Sequence, residues 1–301
     1  MKLTILGCYS ATPRIIAHTT SQVLETRGHH FLIDCGEGTQ IELRRHKLKF
    51  NQIKHIFISH LHGDHYFGLI GLISTFRLLR REVDLNIYGP KGLKEIITIQ
   101  LKLSNSWTNF NLIFHELDAK DSQCIFEDDK VEVHTIPLDH RVYTNGFLFK
   151  EKPFDRKLLI EKAEAKNIDV AYYRKLKQGA DVYNQDGVLI KNKEVTTDGH
   201  IPKSYAFCSD TAYSEAIIPI IQGVDAMYHE STFLQDQAAL CATTKHSTAK
   251  QAATIANKAR VGRLILGHYS SRYKDLKPFK NEAMTVFKQV ALAKDGKIFH
   301  I

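Results

Sequence analysis

Four side chains able to hold a metal ion fall within six residues of this chain, in Ser59-His60-Leu61-His62-Gly63-Asp64-His65. The run follows an apolar, β-branched stretch and precedes a helix-period segment, so it sits where a strand turns into a helix. Imidazole and carboxylate suit a divalent ion such as zinc at a hydrolytic site, where the ion must keep a position for water. In extended backbone, residues two apart face the same way, so His60 and His62 can grip one ion. Turning into the helix swings Asp64 and His65 toward a second position, and Gly63 permits that turn. The plain alternative, in a chain with sixteen histidines, is a loop that is merely polar.

The rest of the chain alternates short β-branched runs with helix-period segments, which predicts an α/β layer protein. Strands are expected over 2–6, 30–34, 53–59, 85–88, 130–136, 204–208, 226–229 and 263–267. Helices are expected over 66–80, 91–104, 156–166, 247–259 and 276–293, with Ser247 as an N-cap. From about residue 150 to 203 the text turns polar and carries Asn-Gln-Asp-Gly and Thr-Asp-Gly turn signals, which reads as an inserted arm on a single domain spanning 1–301. No fixed-period repeat or low-complexity tract marks a second domain.

Composition excludes several classes. With 43% hydrophobic and 25% charged residues the chain is globular rather than disordered. Five scattered cysteines without a CxxC pair suit neither a disulfide framework nor a thiolate zinc site, and are expected to be reduced and buried. The amino terminus lacks the features of a secretory signal and no apolar run has the length of a membrane span, so a cytoplasmic protein is expected. A net charge of +8 points toward a polyanionic partner.

Two ions need more donors, and later strand ends offer them. His140 follows Ile136-Pro137-Leu138-Asp139, Asp210 follows Phe207-Cys208-Ser209, and His268 follows Leu264-Ile265-Leu266-Gly267. Each alone reads as readily as a hydrogen-bonded surface residue; with the first cluster they complete two sets.

The HxHxDH run followed by separate His, Asp and His positions resembles the metallo-β-lactamase superfamily along nearly the whole chain. The resemblance implies a four-layer αβ/βα sandwich with the metals at one edge between the sheets. It also implies one zinc on His60, His62 and His140, another on Asp64, His65 and His268, and Asp210 bridging. Leu32-Ile33-Asp34-Cys35-Gly36-Glu37-Gly38-Thr39-Gln40, His229-Glu230-Ser231-Thr232, His246-Ser247-Thr248 and His268-Tyr269-Ser270-Ser271-Arg272-Tyr273 are similar to motifs of the ribonuclease Z family. That family implies precursor tRNA as substrate, two zinc ions per subunit, and a homodimer whose arms each serve the neighbouring subunit. Its arm carries a Gly-Pro-rich segment; 169–179 here keeps the Leu-Lys-x-Gly ending without the Gly-Pro pair.

Three readings stay open. His246 either just precedes a helix cap or, beside Glu230, donates a proton to a leaving group, with Asp64 as the general base. Arg272 is either surface charge or a phosphate clamp. Arg174, Lys175 and Lys177, beside Tyr172 and Tyr173, are either a solvated helix face or an RNA contact, and 44–49 is a second basic stretch of the same ambiguity. A small-molecule phosphodiesterase would share every zinc ligand but need no arm. An RNA-binding protein with structural zinc would favour closed, cysteine-rich sites.

Overall fold

The computed structural model describes every residue except Pro13 and Ile16. Its contacts divide the chain into two compact units, one formed by Met1–Lys150 with Lys203–Ile301, the other by Glu151–Pro202.

The larger unit is built on two seven-stranded sheets. The first contains β1 (Lys2–Gly7), β2 (Ser21–Thr26), β3 (His29–Cys35), β4 (Ile53–Phe57), β5 (Leu85–Pro90) and β6 (Leu112–Leu117). The second contains β7 (Cys124–Glu127), β8 (Val131–Leu138), β9 (Thr144–Glu151), β10 (Ser204–Cys208), β11 (Ala226–Glu230), β12 (Leu264–Gly267) and β13 (Val290–Leu292). The last strand, β14 (Ile298–His300), returns to pair antiparallel with β1, giving orders β14-β1-β2-β3-β4-β5-β6 and β13-β12-β11-β10-β9-β8-β7.

Period-two alternation decides the layers. Phe31, Ile33 and Phe57 join Phe147, Phe149, Tyr205 and Phe207 in the apolar layer between the sheets, where the Phe57 and Phe149 rings meet at 5.4 Å. Leu32, Ile56 and Ile58, on the opposite face of the first sheet, pack against Leu69, Leu72 and Ile73 of the helix Gly68–Leu78. On the outer side of the second sheet lies the helix Ala249–Lys258, which presents Ala252, Ala253 and Ala256. Small residues there let the helix approach its sheet closely. The result is helix, sheet, sheet, helix: the four-layer sandwich expected from the sequence.

Within each sheet, β3-β4-β5-β6 and β10-β11-β12-β13 run parallel. Parallel strands end together, so the loops that follow β3, β4, β10, β11 and β12 share one rim, the usual place for a site in such sheets.

Several local expectations are corrected. The stretch 276–293 is not one helix but Lys277–Met284 followed by β13, whose residues Val290 and Leu292 register with Leu264 and Leu266. The helix expected over 66–80 is split at Phe67 into Gly63–Tyr66 and Gly68–Leu78. Thr248, not Ser247, caps the helix Ala249–Lys258, in a reciprocal pair with Gln251; the Ser247 hydroxyl instead donates to the Thr211 carbonyl at 2.7 Å. Cys124 is exposed, while the other four cysteines are buried and free. In the basic stretch 44–49, Arg45 is paired with buried Glu42 at 2.6 Å and Arg44 lies over the Phe50 ring at 5.2 Å.

The smaller unit, read as merely polar in the sequence, has an apolar cluster of its own formed by Ala163, Ile168, Leu176, Val182, Ile190 and Val195. These come from short pieces, including the helices Ile160–Ala165 and Tyr173–Lys177 and the paired segments Val182–Tyr183 and Leu189–Ile190. The intervening turn is closed by Asn184, whose Oδ1 accepts the N–H groups of Asp186 and Val188. Among the described residues no helix is long and apolar enough to cross a membrane.

Candidate metal centre

The rim loops bring seven donors together. His60 Nε2 lies 3.0 Å from His62 Nδ1, which lies 3.3 Å from His140 Nε2. Asp210 Oδ2 faces this trio, 3.5 Å from His60 and 3.8 Å from His140. The other oxygen, Oδ1, faces a second trio, 3.3 Å from His65 Nε2 and 3.1 Å from His268 Nε2. Asp64 Oδ2 completes that trio at 3.4 Å from each of the same two nitrogens. The two sets are His60, His62, His140 with Asp210, and Asp64, His65 with His268; Asp210 offers one oxygen to each.

Hydrogen bonds behind the rings decide which nitrogen faces inward. The Ser59 hydroxyl donates to Asp34 Oδ2 at 2.9 Å, so it accepts from His60 Nδ1 at 3.0 Å. Asp34 Oδ2 also accepts the His65 Nδ1 proton at 2.7 Å. His140 Nδ1 donates to the Lys245 carbonyl at 2.8 Å. The Thr232 hydroxyl donates to Glu230 Oε2 at 2.7 Å and accepts from His268 Nδ1 at 3.0 Å. Each of these imidazoles is thus turned with a bare Nε2 toward the centre, the orientation a metal ligand needs.

Electrostatics fit a cation. Burial, and the other imidazoles, lower the affinity of His60 and His62 for a proton, and burial brings His140 down to about 4. Burial would lower His65 too, but Asp210, Asp64 and Asp34 outweigh it and draw its pKa well above the ordinary value. The field of three carboxylates therefore calls for positive charge at the spot the donors surround. His65 Nε2 is a buried nitrogen with no hydrogen-bond partner, although it lies against two carboxylate oxygens. Neutral imidazoles, ionised carboxylates and no thiolate form a donor set suited to divalent zinc and its neighbours.

Asp34, Asp210 and His268 have φ of 55°, 40° and 57°, the left-handed region that ordinary residues avoid at a cost of about 1 kcal/mol or more. All three sit at this rim, so the strain is concentrated where the donors must be aimed. Gly63 has no positive φ; a Cβ there would meet the ring of Phe67, a half-exposed side chain that would have to turn aside.

Asp34 is the functional residue that sequence reading passed over. Fully buried, it accepts the Ser59 N–H at 2.7 Å besides its bonds to Ser59 Oγ and His65. The Asp34-Cys35-Gly36 run was the available signal, but only the fold shows that its carboxylate stands under His65. Asp34→Asn, which tolerates the left-handed backbone, replaces an acceptor facing His65 Nδ1 by a donor. Metal affinity is expected to fall about 10–100-fold, measured by competition with a chelator; unchanged affinity would show that His65 needs no orienting partner.

His246 and Glu230 meet beside the second donor set. Glu230 is fully buried, and Oε1 accepts from His246 Nδ1 at 2.7 Å and from Thr211 N at 3.0 Å. Its Oε2 takes the N–H and hydroxyl of Thr232. Burial lowers the His246 pKa, but the Glu230 carboxylate prevails and brings it to about 9. His246 could also join a donor group with Asp210 and His268; its Nδ1, however, is committed to Glu230, leaving Nε2 for other work.

A cavity of about 300 Å³ opens over the centre, lined by Asp64, Asp210, His246, His268 and Arg272. Arg272 lies 5.9 Å from the Phe233 ring centroid. Arg141 lines the same cavity and was absent from the sequence reading; it directly follows His140, which is the signal that could have found it. Arg174, Lys175 and Lys177 lie exposed on the helix Tyr173–Lys177 of the smaller unit, with Lys175 Nζ 5.4 Å from the Tyr172 ring.

Comparison with known proteins places this geometry. Residues 1–160 match a family model described as Anti-Pycsar protein Apyc1; that span holds His60 to His140 but neither Asp210, Glu230, His246 nor His268. The crystal structure of human tRNase Z, short form, is similar with a TM-score of 0.73 and 26% identity, over 100% of this chain and 99% of that one. The metallo-β-lactamase fold protein YhfI of Bacillus subtilis aligns over 99% and 98% of the two chains with a TM-score of 0.69. At 19% identity it speaks for the fold alone. A Ribonuclease Z of Parabacteroides distasonis is 44% identical over 294 residues, 98% of this chain and 97% of that protein. At that identity over nearly its full length, the chain belongs to the ribonuclease Z family.

Proposed function

We propose that the chain is a zinc-dependent endoribonuclease that removes the 3′ trailer of tRNA precursors, leaving a 3′-hydroxyl on the tRNA and a 5′-phosphate on the trailer. The observation that carries this reading is the His246–Glu230 pair, 2.7 Å apart, set in the same cavity wall as the two donor sets. Donor cages alone serve many hydrolases on this scaffold; an oriented, protonated imidazole beside them supplies what an alkoxide leaving group requires.

His60, His62, His140 and Asp210 Oδ2 would hold one zinc, and Asp64, His65, His268 and Asp210 Oδ1 the other. Zinc bound there supplies water of lowered pKa and neutralises charge on the attacked phosphate. Asp64 is ionised at all working pH: burial opposes its charge, but His65 and His268 hold its pKa far below the ordinary value. With Oδ2 held by the Ala11 N–H at 2.7 Å and turned toward the second donor set, the other carboxylate oxygen, Oδ1, would accept the proton of the attacking water. His246 Nε2 donates its proton to the departing O3′ while Glu230 holds the resulting neutral ring in place. Arg272 and Arg141, on the cavity wall, offer guanidinium groups to the phosphates flanking the cut.

The reading includes a cytoplasmic homodimer with Arg174, Lys175 and Lys177 as tRNA contacts. Three exposed cations on five residues of a separate compact unit support the tRNA contact. Replacing all three by alanine is expected to raise KM about tenfold or more with kcat unchanged, and to reduce the salt dependence of tRNA binding by up to about three counterions. An unaltered salt slope would remove these residues from the interface.

The discriminating experiment sets a 3′-extended tRNA precursor against bis(p-nitrophenyl) phosphate, with the zinc-loaded enzyme. Cleavage of the precursor at the end of the acceptor stem, far faster than diester hydrolysis, is expected. Efficient hydrolysis of the small diester with an intact precursor would favour a small-molecule phosphodiesterase on the same cage.

A further inference from the structure

The largest histidine cluster outside the metal centre surrounds a second cavity, at the other end of the same strands. The loop His60–His65 follows the carboxyl end of β4, whereas this cavity opens at the amino ends of β3 and β4. The length of β4 and the residues after it separate the two by roughly 20 Å. Its volume is about 550 Å³, within the range of small-molecule sites.

Its lining departs from what the space between two sheets should contain. Positions that face the apolar layer carry His29 and His55 beside Phe31 and Phe126. His29 is stacked on Phe31 at 5.0 Å with planes 10° apart, and His55 meets Phe126 at 4.6 Å. The Nδ1 atom of His55 is buried without a hydrogen-bond partner, a costly arrangement that a ligand or water would relieve. Burial brings His55 down to about 4, so it is a neutral donor or acceptor at physiological pH.

Charge at the mouth is positive. Lys54 and Lys130 line it, both exposed. Asp128, the carboxylate in the lining, is already engaged: it accepts from His29 Nε2 at 2.7 Å and from the N–H groups of Lys130 and Val131 at 2.8 Å each. Asn51 and Gln52 add amide donors and acceptors of the kind that read a base edge. Aromatic rings, cations and two neighbouring amides around one cavity suit a flat heterocycle joined to a phosphate.

We infer that the cavity between Arg27–His30, Asn51–His55 and Phe126–Lys130 is a binding site for a nucleoside monophosphate, distinct from the metal centre. The phosphate lies between Lys54 and Lys130, and the base lies against Phe126 and the imidazoles. Nothing in this assignment depends on the substrate proposed for the metal centre.

Titration calorimetry of the full-length protein tests it with AMP, adenosine and inorganic phosphate as separate probes. AMP is expected to bind at least tenfold more tightly than either fragment. The K54A/K130A double variant, altered only at exposed side chains, is expected to lose at least tenfold in AMP affinity while its hydrolytic activity stays unchanged. His62→Ala, which disables the metal centre, is expected to bind AMP as the parent does. The proposal is overturned if phosphate or adenosine alone binds as tightly as AMP. Loss of AMP binding in His62→Ala with retention in the lysine variant would also overturn it, because the nucleotide would then occupy the metal centre.

Discussion

Asp210→Asn is expected to abolish cleavage, by about 10⁴-fold or more, and to strip metal from the protein. The carboxylate is buried, and its two oxygens face different donor sets, Oδ2 toward His60 and His140, Oδ1 toward His65 and His268. Asparagine keeps the shape and tolerates the φ of 40°, so the fold should survive. It exchanges one anionic oxygen for an NH₂ group whose protons point at bare imidazole nitrogens. The imidazoles then gain a hydrogen bond where they should hold a cation, and a negative charge that offsets bound metal is gone. Metal content by mass spectrometry, circular dichroism and single-turnover cleavage are the three measurements. A folded variant that retains full metal and activity would show that Asp210 is not shared between the sets.

His246→Ala is expected to slow cleavage about 10²–10⁴-fold, the usual contribution of a positioned acid, with metal content intact. The imidazole lines the cavity over the centre, and its Nδ1 is tied to Glu230 at 2.7 Å, which leaves Nε2 for proton transfer. The sign of the pH dependence follows from the raised pKa. With its pKa near 9, His246 keeps its proton through neutral pH and loses it as pH rises past that value, so the parent rate should fall on the alkaline side. Alanine removes that alkaline limb altogether. Glu230→Gln takes away the carboxylate that outweighs burial, so the limb should move to lower pH without disappearing. A precursor whose scissile O3′, on the tRNA side of the cut, is replaced by sulfur, a better leaving group that needs no proton, should rescue His246→Ala in part. Loss of metal from His246→Ala, equal to that of a His62 variant, would make His246 a ligand instead of an acid.

How far the site was legible depended on the range of the interactions. The run His60–His65 declared itself because strand and turn geometry place neighbours in sequence on one side. His140, Asp210 and His268 could be picked out as polar residues at strand ends, but each was ambiguous until the strands were arranged. Asp34 was passed over even though its motif had been noticed, because a carboxylate in a short strand-end motif carries no sign of which ring it will underpin. The strand Thr144–Glu151 escaped because its Thr144 to Phe149 run is buried on both faces, which erases the alternation that marks a half-exposed strand. Residues 290–292 read as the tail of a helix since their partner, Leu264–Leu266, lies more than twenty residues away in sequence.

The amino-acid order by itself determined the layer class and the metal-binding loop. Those follow from periodicity, turn chemistry and the spacing of donors over a few residues. Tertiary structure alone decided that Asp210 turns one oxygen to each donor set, that Glu230 lies under His246, and that imidazoles gather at the opposite end of the sandwich. The physical reason is that a local pattern specifies which face of an element is apolar, whereas the partners of a ring nitrogen come from whichever strand ends the sheet order makes neighbours. Proton positions and pKa values in the site are properties of that neighbourhood, and they exist only once the chain has closed around it.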